Sequence, residues 1–254
     1  MSRKRLFFDI ETSPCLGWFW RPSYQTNLNY GNIIKNASII CVCYKWEHSD
    51  KVHHLTWDNN QCDKEMLKKF IAILDQADEI LGHNSDRFDI KWIRTRCLFH
   101  NIDMMPNYTS LDTLKASRSG FNFPSNRLDS IGKYLGVGQK IKNDSDLWHR
   151  VWQKNNKAAL REMVAYCKQD VLLLESVFKK INKYIKPKHS VAIDKSDCPE
   201  CGGENTHYHK HIQRAGGAIA TQFRCYDCGK YHTISTAQFN KSKAAQLSLK
   251  NKKR

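Results

Sequence analysis

The residues that most restrict the fold are the eight from Arg5 to Thr12, Arg-Leu-Phe-Phe-Asp-Ile-Glu-Thr. Leu6, Phe7, Phe8 and Ile10 are apolar at odd and even positions alike, as in a central strand covered on both faces. Residues two apart in a strand point the same way, so Asp9 and Glu11 share a face. Two carboxylates on such a strand are costly to bury unless something positive neutralises them. Either the acids lie at the strand end in solvent, or the fold brings cations to them. A chain of 254 residues that is 41% hydrophobic has enough apolar material for one sizeable α/β domain around this strand, plus a small appendage.

The pattern downstream supplies the rest of that domain. Pro14 stops the first strand, and a loop rich in aromatics follows, with Trp18, Phe19, Trp20, Tyr24 and Tyr30. Ser38–Trp46 reads as a second strand and Lys51–Trp57 as a third, paired in a hairpin. Asp63–Asp75 carries Met66, Leu67, Phe70, Ile71 and Leu74 at helical spacing. A short strand at Glu79–His83 and a helix at Phe88–Phe99 follow, the latter with Ile90, Ile93 and Leu98 inward. Arg127–Leu135 and Asp146–Trp152 read as shorter helices. The longest helical stretch is Lys157–Tyr184, whose apolar positions from Leu160 to Ile181 step by three and four until Pro187 ends it. Strands first, then a strand alternating with helices, imply an α/β fold with a mixed sheet flanked by helices. The expected domains are 1–187, a small module at 188–240 opening on a polar linker, and a basic, patternless tail at 241–254.

Two further segments carry acids at suggestive positions. His83-Asn84-Ser85-Asp86-Arg87-Phe88-Asp89 leaves a strand and enters a helix, so its acids suit either chemistry or a helix N-terminus. In Tyr166-Cys167-Lys168-Gln169-Asp170 the first and last residues share a helix face, which fits either a site or an ordinary amphipathic surface.

Taken in order, an Asp-x-Glu strand, an Asn-x-x-x-Phe-Asp turn and a Tyr-x-x-x-Asp helix resemble the three exonuclease motifs of the DEDD family, in its tyrosine-containing branch. That family has a ribonuclease H-like fold and includes proofreading domains of DNA polymerases and RNA-trimming nucleases. Asp9–Pro14, Asp112-Thr113-Leu114, Leu128–Ile131 and Tyr166–Val171 look like phage-type stand-alone members. The resemblance spans about residues 5–185, and what remains is too short for a polymerase palm. It implies that Asp9, Glu11, Asp89 and Asp170 bind metal, Asp89 rather than Asp86 because it directly follows Phe. It also implies that Tyr166 orients the attacking water, and that hydrolysis from a 3′ end releases 5′-mononucleotides. Four close carboxylates cannot all ionise without cations. Oxygen ligands suit Mg²⁺ or Mn²⁺, and two such ions about 3.5–4 Å apart support in-line displacement. In that scheme Asp9 bridges both ions, while Glu11 and Asp170 hold the one that carries the nucleophile. Thr12, Asn84 and Phe88 are candidates to touch the terminal nucleotide. Phe88, Trp18, Phe19 and Trp20 suit base stacking, or else pack their loops onto the core.

Near the C-terminus, Cys198-Pro-Glu-Cys201-Gly and Cys225-Tyr-Asp-Cys228-Gly form two C-x-x-C pairs. They offer four thiolates for one tetrahedral, structural Zn²⁺. The glycine after each pair lets the backbone turn toward sulfur. Thr206–Gln213 and Ala218–Arg224 flank Ala215-Gly216-Gly217 as a hairpin, so this module resembles a zinc ribbon. About forty residues bury too little surface to fold without the metal. With four sulfurs in place, His207, His209, His211 and His232 are expected at the surface.

Lys and Arg number 41 against 25 Asp and Glu, a formal charge of +16, which favours nucleic acid as partner. Residues 195–254 hold 11 basic against 4 acidic residues, so the module and tail suit nucleic-acid contact, with protein docking as the alternative. No apolar run approaches a membrane span of about 18 residues. Asp9 and Glu11 interrupt the signal-like start, so a cytoplasmic protein is expected, in the host cytoplasm for a phage-type member. DNA is the favoured substrate over RNA. A non-catalytic binding adaptor is the alternative of another class, disfavoured because all five catalytic positions hold competent residues.

Overall fold

The computed structural model describes residues 3–21, 29–141, 144 and 146–242. Tyr24 and most of the basic tail, from residue 243 onward, lie outside the described residues. Two compact units emerge, one of residues 4–178 and one of residue 3 with residues 179–242.

The larger unit is a mixed α/β fold. Its strands are β1 (Arg5–Thr12), β4 (Ile39–Trp46), β5 (His53–Thr56), β6 (Glu79–Gly82) and β7 (Ser110–Asp112), ordered β5-β4-β1-β6-β7. A small ribbon of β2 (Leu16–Gly17) and β3 (Ile33–Lys35) lies apart from this sheet. β1 pairs antiparallel with β4 and parallel with β6, and so takes the central place its two-sided apolarity requires. β4 and β5 form the expected hairpin. The helices are α1 (Lys64–Leu74), α2 (Asp89–His100), α3 (Thr113–Gly120), α4 (Leu128–Tyr134), α5 (Leu147–Trp152) and α6 (Lys157–Ile181).

The two faces of β1 meet different partners. Leu6, Phe8 and Ile10 join the five apolar residues of α1 and Ile90, Ile93 and Cys97 of α2 in one core. Each of the Leu, Ile, Phe and Met side chains among them contributes roughly 1.5–3 kcal/mol by leaving water. Cys97, not Leu98, is the third inward residue of α2; Leu98 is 75% exposed. The helix turns 100° per residue, and Ile93 and Cys97, four apart, fix the buried stripe one position earlier. Asp63, just before α1, closes this layer. Its carboxylate receives Nε and a terminal nitrogen of Arg96, both at 2.8 Å, and the Ile39 amide at 2.9 Å.

The other face of β1 carries Phe7, Asp9 and Glu11 toward α6. Phe7 packs edge-on to Phe178 with ring centroids 5.5 Å apart. Val164, Cys167, Val171, Leu174, Val177, Phe178 and Ile181 of α6 are all buried, as their spacing requires, while Leu160 is half-buried. The 25-residue helix continues as one 3₁₀ turn, Asn182–Tyr184.

The smaller unit holds an antiparallel three-stranded sheet of β8 (Thr206–Gln213), β9 (Ile219–Cys225) and β10 (Tyr231–Ser235), ordered β10-β9-β8, and a short α7 (Thr236–Asn240). β8 and β9 are the hairpin read from the sequence; β10 and α7 extend it. Glu200 accepts from the Lys230 ammonium at 2.9 Å and from Asn182 at 2.8 Å, with Arg3 at 3.5 Å. Both Glu200 and Lys230 are buried. No helix among the described residues is long and apolar enough to cross a membrane.

Candidate active site

β1 sets the position of the site. Asp9 and Glu11 stand in register with Cys43 and Cys41 of β4. Carboxylate oxygens of both acids and Sγ of Cys167 on α6 lie within 4.8 Å of one another. The pairing with β4 slips between Glu11 and Thr12, and Thr12 sits half-exposed at this irregularity.

Asp89 reaches the same place from the first turn of α2. It is 3% exposed, and its Oδ1 accepts the amide of Ile10, the residue between the two acids of β1, at 3.2 Å. The turn before it is built on Asp112, the last residue of β7. That carboxylate receives the amides of Asn84 at 2.9 Å and Asp86 at 3.3 Å, and caps α3 through the Leu114 amide at 2.9 Å. Asn84 adopts a left-handed conformation, φ +68°, which asparagine tolerates better than most residues. Asp86 is held elsewhere, by Lys115 at 2.7 Å and by the Ser110 hydroxyl. Phe88 is 40% exposed and meets Trp92 edge-on. Trp18, Phe19 and Trp20 are exposed rather than packed into the core, Trp20 at 93%.

α6 brings the last two residues. Asp170 is 2% exposed and receives the Lys140 ammonium at 2.6 Å. One turn earlier Tyr166 is half-buried, with its hydroxyl 3.4 Å from Lys140 Nζ. Lys140 sits on the loop after α4, pinned by its own amide to Asp129 at 2.8 Å.

Burial dominates the electrostatics. It pushes Asp9 and Glu11 well above the ordinary carboxylate range, and repulsion from Asp89 and Asp170 adds to it. Asp89 is raised to about 7 by burial, against the amide bonds that favour its charged form. Burial also raises Asp170, although Lys140 and the Tyr166 hydroxyl pull the other way. Burial and the nearby Asp170 raise Tyr166, which keeps its phenol protonated. Lys140 is drawn down by burial yet held above the usual lysine value by Asp170. All four carboxylates are thus under electrostatic pressure that a cation relieves.

A cavity of about 840 Å³ opens beside the cluster, lined by Asn84, Tyr166 and Lys140 and further by Arg118, Arg127 and Lys133. Its basic wall suits an anionic chain.

A family model of the RNase H superfamily matches residues 26–182. The chain belongs to the RNase H superfamily. Its fold is also similar to that of a family B DNA polymerase from the hyperthermophilic archaeon Pyrobaculum calidifontis, with TM-score 0.56 and 16% sequence identity. That similarity covers 72% of this chain but 25% of the polymerase, so the chain matches about a quarter of that protein's length. No curated protein matches the chain in sequence.

For this superfamily member, divalent cations fit the residues present. Four carboxylates gather there with the Cys167 thiol beside two of them, their charge is poorly solvated, and Asp170 Oδ1 is buried with no hydrogen-bond partner among the described residues. Such an orphaned acceptor is costly unless something else occupies it. Lys140 is the residue of the cluster that the sequence did not reveal. It lies in an irregular loop, outside any periodic element, and only the fold brings it to Asp170.

In the smaller unit, the sulfurs of Cys198, Cys201, Cys225 and Cys228 lie within 4.8 Å of one another, with Cys198–Cys228 at 3.5 Å and Cys201–Cys225 at 3.7 Å. Gly202 and Gly229, which follow the two pairs, have φ of +73° and +74°, a region where glycine is unstrained. Each turn closes with an amide bond, from Gly202 to Cys198 O and from Gly229 to Cys225 O. The cluster is compatible with a zinc ribbon. His207, His209 and His211 are exposed on β8, whereas His232 is half-buried and stacks on Phe223.

Proposed function

We propose that this chain is a two-metal-ion 3′→5′ exonuclease of the DEDD type, tyrosine branch, related to phage stand-alone enzymes and acting on single-stranded or frayed DNA. The observation that carries the reading is the convergence of Asp9, Glu11, Asp89 and Asp170, from three separate parts of the chain, on one desolvated cluster beside Tyr166. The family is one whose nucleases use divalent ions, and the similarity to a DNA polymerase agrees with a DNA substrate. The basic cavity beside the cluster supports a nucleic-acid strand as the bound anion.

In this reading the four carboxylates hold two Mg²⁺ or Mn²⁺. Bound there, the ions supply a water nucleophilic at neutral pH and offset the charge that develops on the scissile phosphate and the leaving oxygen. Tyr166, protonated at neutral pH, fixes the orientation of the attacking water through its hydroxyl. Lys140 keeps Tyr166 and Asp170 in place and adds positive charge where a phosphate arrives. Asn84, on the cavity wall, and Thr12, at the end of β1, would position the terminal nucleotide, and the exposed ring of Phe88 would offer it a stacking surface. The products are 5′-mononucleotides and a shortened strand with a 3′-hydroxyl. The four cysteines hold one structural Zn²⁺, and the ribbon with the basic tail adds grip on nucleic acid.

The test uses single-stranded, duplex and mismatched DNA and a matched RNA, each labelled at its 5′ end, with Mg²⁺ or EDTA. Stepwise shortening from the 3′ end, lost in EDTA, is expected, with DNA preferred. Internal cleavage, or removal of the label first, contradicts the polarity. Faster RNA trimming reassigns the substrate, and binding without any cleavage points to an adaptor.

A further inference from the structure

Three cysteines outside the ribbon also gather. Cys41 and Cys43 are two apart on β4 and so project from the same face of the sheet, and Cys167 descends on them from α6. All three are fully buried, and their sulfurs lie within 4.8 Å of one another. Buried thiols are often plain packing. Here, however, Cys167 also belongs to a second such group, with the carboxylates of Asp9 and Glu11. The thiol of Cys167 points at Asp9, 3.6 Å from Oδ2 and 3.5 Å from the main-chain oxygen.

We propose that Cys41, Cys43 and Cys167, with Asp9 as the fourth ligand, form a site for a thiophilic divalent ion such as Zn²⁺, beneath the carboxylate cluster. A tetrahedral zinc has sulfur at about 2.3 Å and oxygen at about 2.0 Å, which sets ligand separations of about 3.8 Å between sulfurs and about 3.5 Å from sulfur to oxygen. Of the three sulfur-to-oxygen separations, the 3.6 Å from Cys167 to Asp9 already meets the second figure, while Cys41 and Cys43 must close on the carboxylate as the ion binds. For the sulfurs, an upper bound of 4.8 Å asks for inward shifts of no more than about 1 Å to reach the first. Thiolate ligands select zinc and cadmium over magnesium, whereas the oxygen cluster above has the opposite preference. Asp9 and Glu11 are the partly exposed members of the neighbourhood, so an ion arrives past them, and uptake releases the thiol protons to solvent. Asp9 belongs to both sites. An ion among the sulfurs draws Oδ2 away from the hard-ion position, so thiophilic metals inhibit cleavage. That consequence rests on the nuclease reading; the binding site does not.

The test is Cd²⁺ uptake by the full-length protein in excess Mg²⁺, followed by total bound zinc and cadmium per chain and by the ultraviolet sulfur-to-cadmium charge-transfer band. Two thiolate-bound ions per chain are expected in the wild type, one in the ribbon and one in the triad. C41A/C43A should lose one of them. A wild type that takes up one thiolate-bound ion overturns the site, even if the double variant fails to fold, and so does equal uptake by a folded variant. Mg²⁺-dependent cleavage is read in parallel. Loss of cleavage as the second ion binds, with C41A/C43A resistant, supports the coupling through Asp9; full cleavage with that ion bound overturns it. A second ion in a chain that never cleaves leaves the site standing and rejects the nuclease.

Discussion

The ribbon draws its four sulfurs from two turns of four residues each, whereas the carboxylate cluster draws on positions 9, 11, 89 and 170. The ribbon's turns are local, with glycine at +73° and +74° completing each, and their chemistry is visible in a few consecutive letters. The carboxylates depend on β1 lying at the centre of the sheet, on α2 starting beside Ile10 and on α6 crossing the same face. The two regions also treat buried charge differently. The ribbon's Glu200 is met by Lys230 and Arg3. In the cluster Lys140 answers Asp170, and Asp9, Glu11 and Asp89 stay poorly neutralised by the protein. On the proposed reading, the region built on local turns would need metal in order to fold, and the one built by a folded sheet would need metal in order to work.

That contrast can be broken experimentally. The largest effect is expected in the ribbon. Stripping zinc, or Cys225→Ser, removes a binding energy on the order of 10 kcal/mol and should melt the smaller unit. Limited proteolysis should then cut within 188–240 while residues 4–178 persist. Cleavage of the larger unit at the same rate would contradict the division.

Asp9→Ala should lower cleavage by about 10³-fold or more, with no loss of thermal stability in EDTA, because it deletes an unfavourably buried carboxylate. A large drop in melting temperature without metal would make Asp9 structural. Glu200→Ala should destabilise the ribbon by about 3 kcal/mol, since it leaves the Lys230 ammonium buried without its carboxylate; zinc-affinity measurements and thermal melts check this. Tyr166→Phe should reduce kcat by about tenfold to a hundredfold with little change in KM, as expected for a hydrogen bond used in the transition state.

The smallest effect is in pH. Asp89 is held near 7 and would have to lose its proton to bind metal, as would the raised Asp9 and Glu11, so Mg²⁺ affinity should rise with pH through about 7 and be accompanied by proton release. The linkage for folding has the opposite sign. The folded state binds the Asp89 proton more tightly than the unfolded chain, so this group's contribution to metal-free stability declines as pH rises from the ordinary carboxylate range through about 7. Calorimetry with and without Mg²⁺ measures both; a pH-independent Mg²⁺ affinity would remove Asp89 from the ligand set.

Much of the larger unit was legible because its elements obey simple periods. β1 shows as an apolar run and α1 and α6 as 3.6-residue periods; the limits of β1 and α1 are met within one residue, whereas α6 ends three residues before Tyr184, in a 3₁₀ turn that the same spacing continues through. β7 escaped, since three residues at Ser110–Asp112 give no period, and β10 escaped behind the knuckle that precedes it. The inward choice on α2 went wrong at Leu98, where Cys97 is buried instead, because side-chain hydrophobicity alone does not set a helix's phase. Asp9, Glu11, Asp89, Tyr166 and Asp170 were legible as motifs. Their meeting place, and Lys140 within it, depend on tertiary packing that no local pattern encodes. The same holds for the thiol triad, whose members are 124 residues apart between Cys43 and Cys167.

The most direct test of the central claim is anomalous diffraction from crystals soaked in Mn²⁺ with a 3′-terminal mononucleotide. Two peaks about 4 Å apart, ligated by Asp9, Glu11, Asp89 and Asp170, are the predicted result. An empty carboxylate cluster at saturating Mn²⁺, with the nucleotide bound elsewhere, would contradict it.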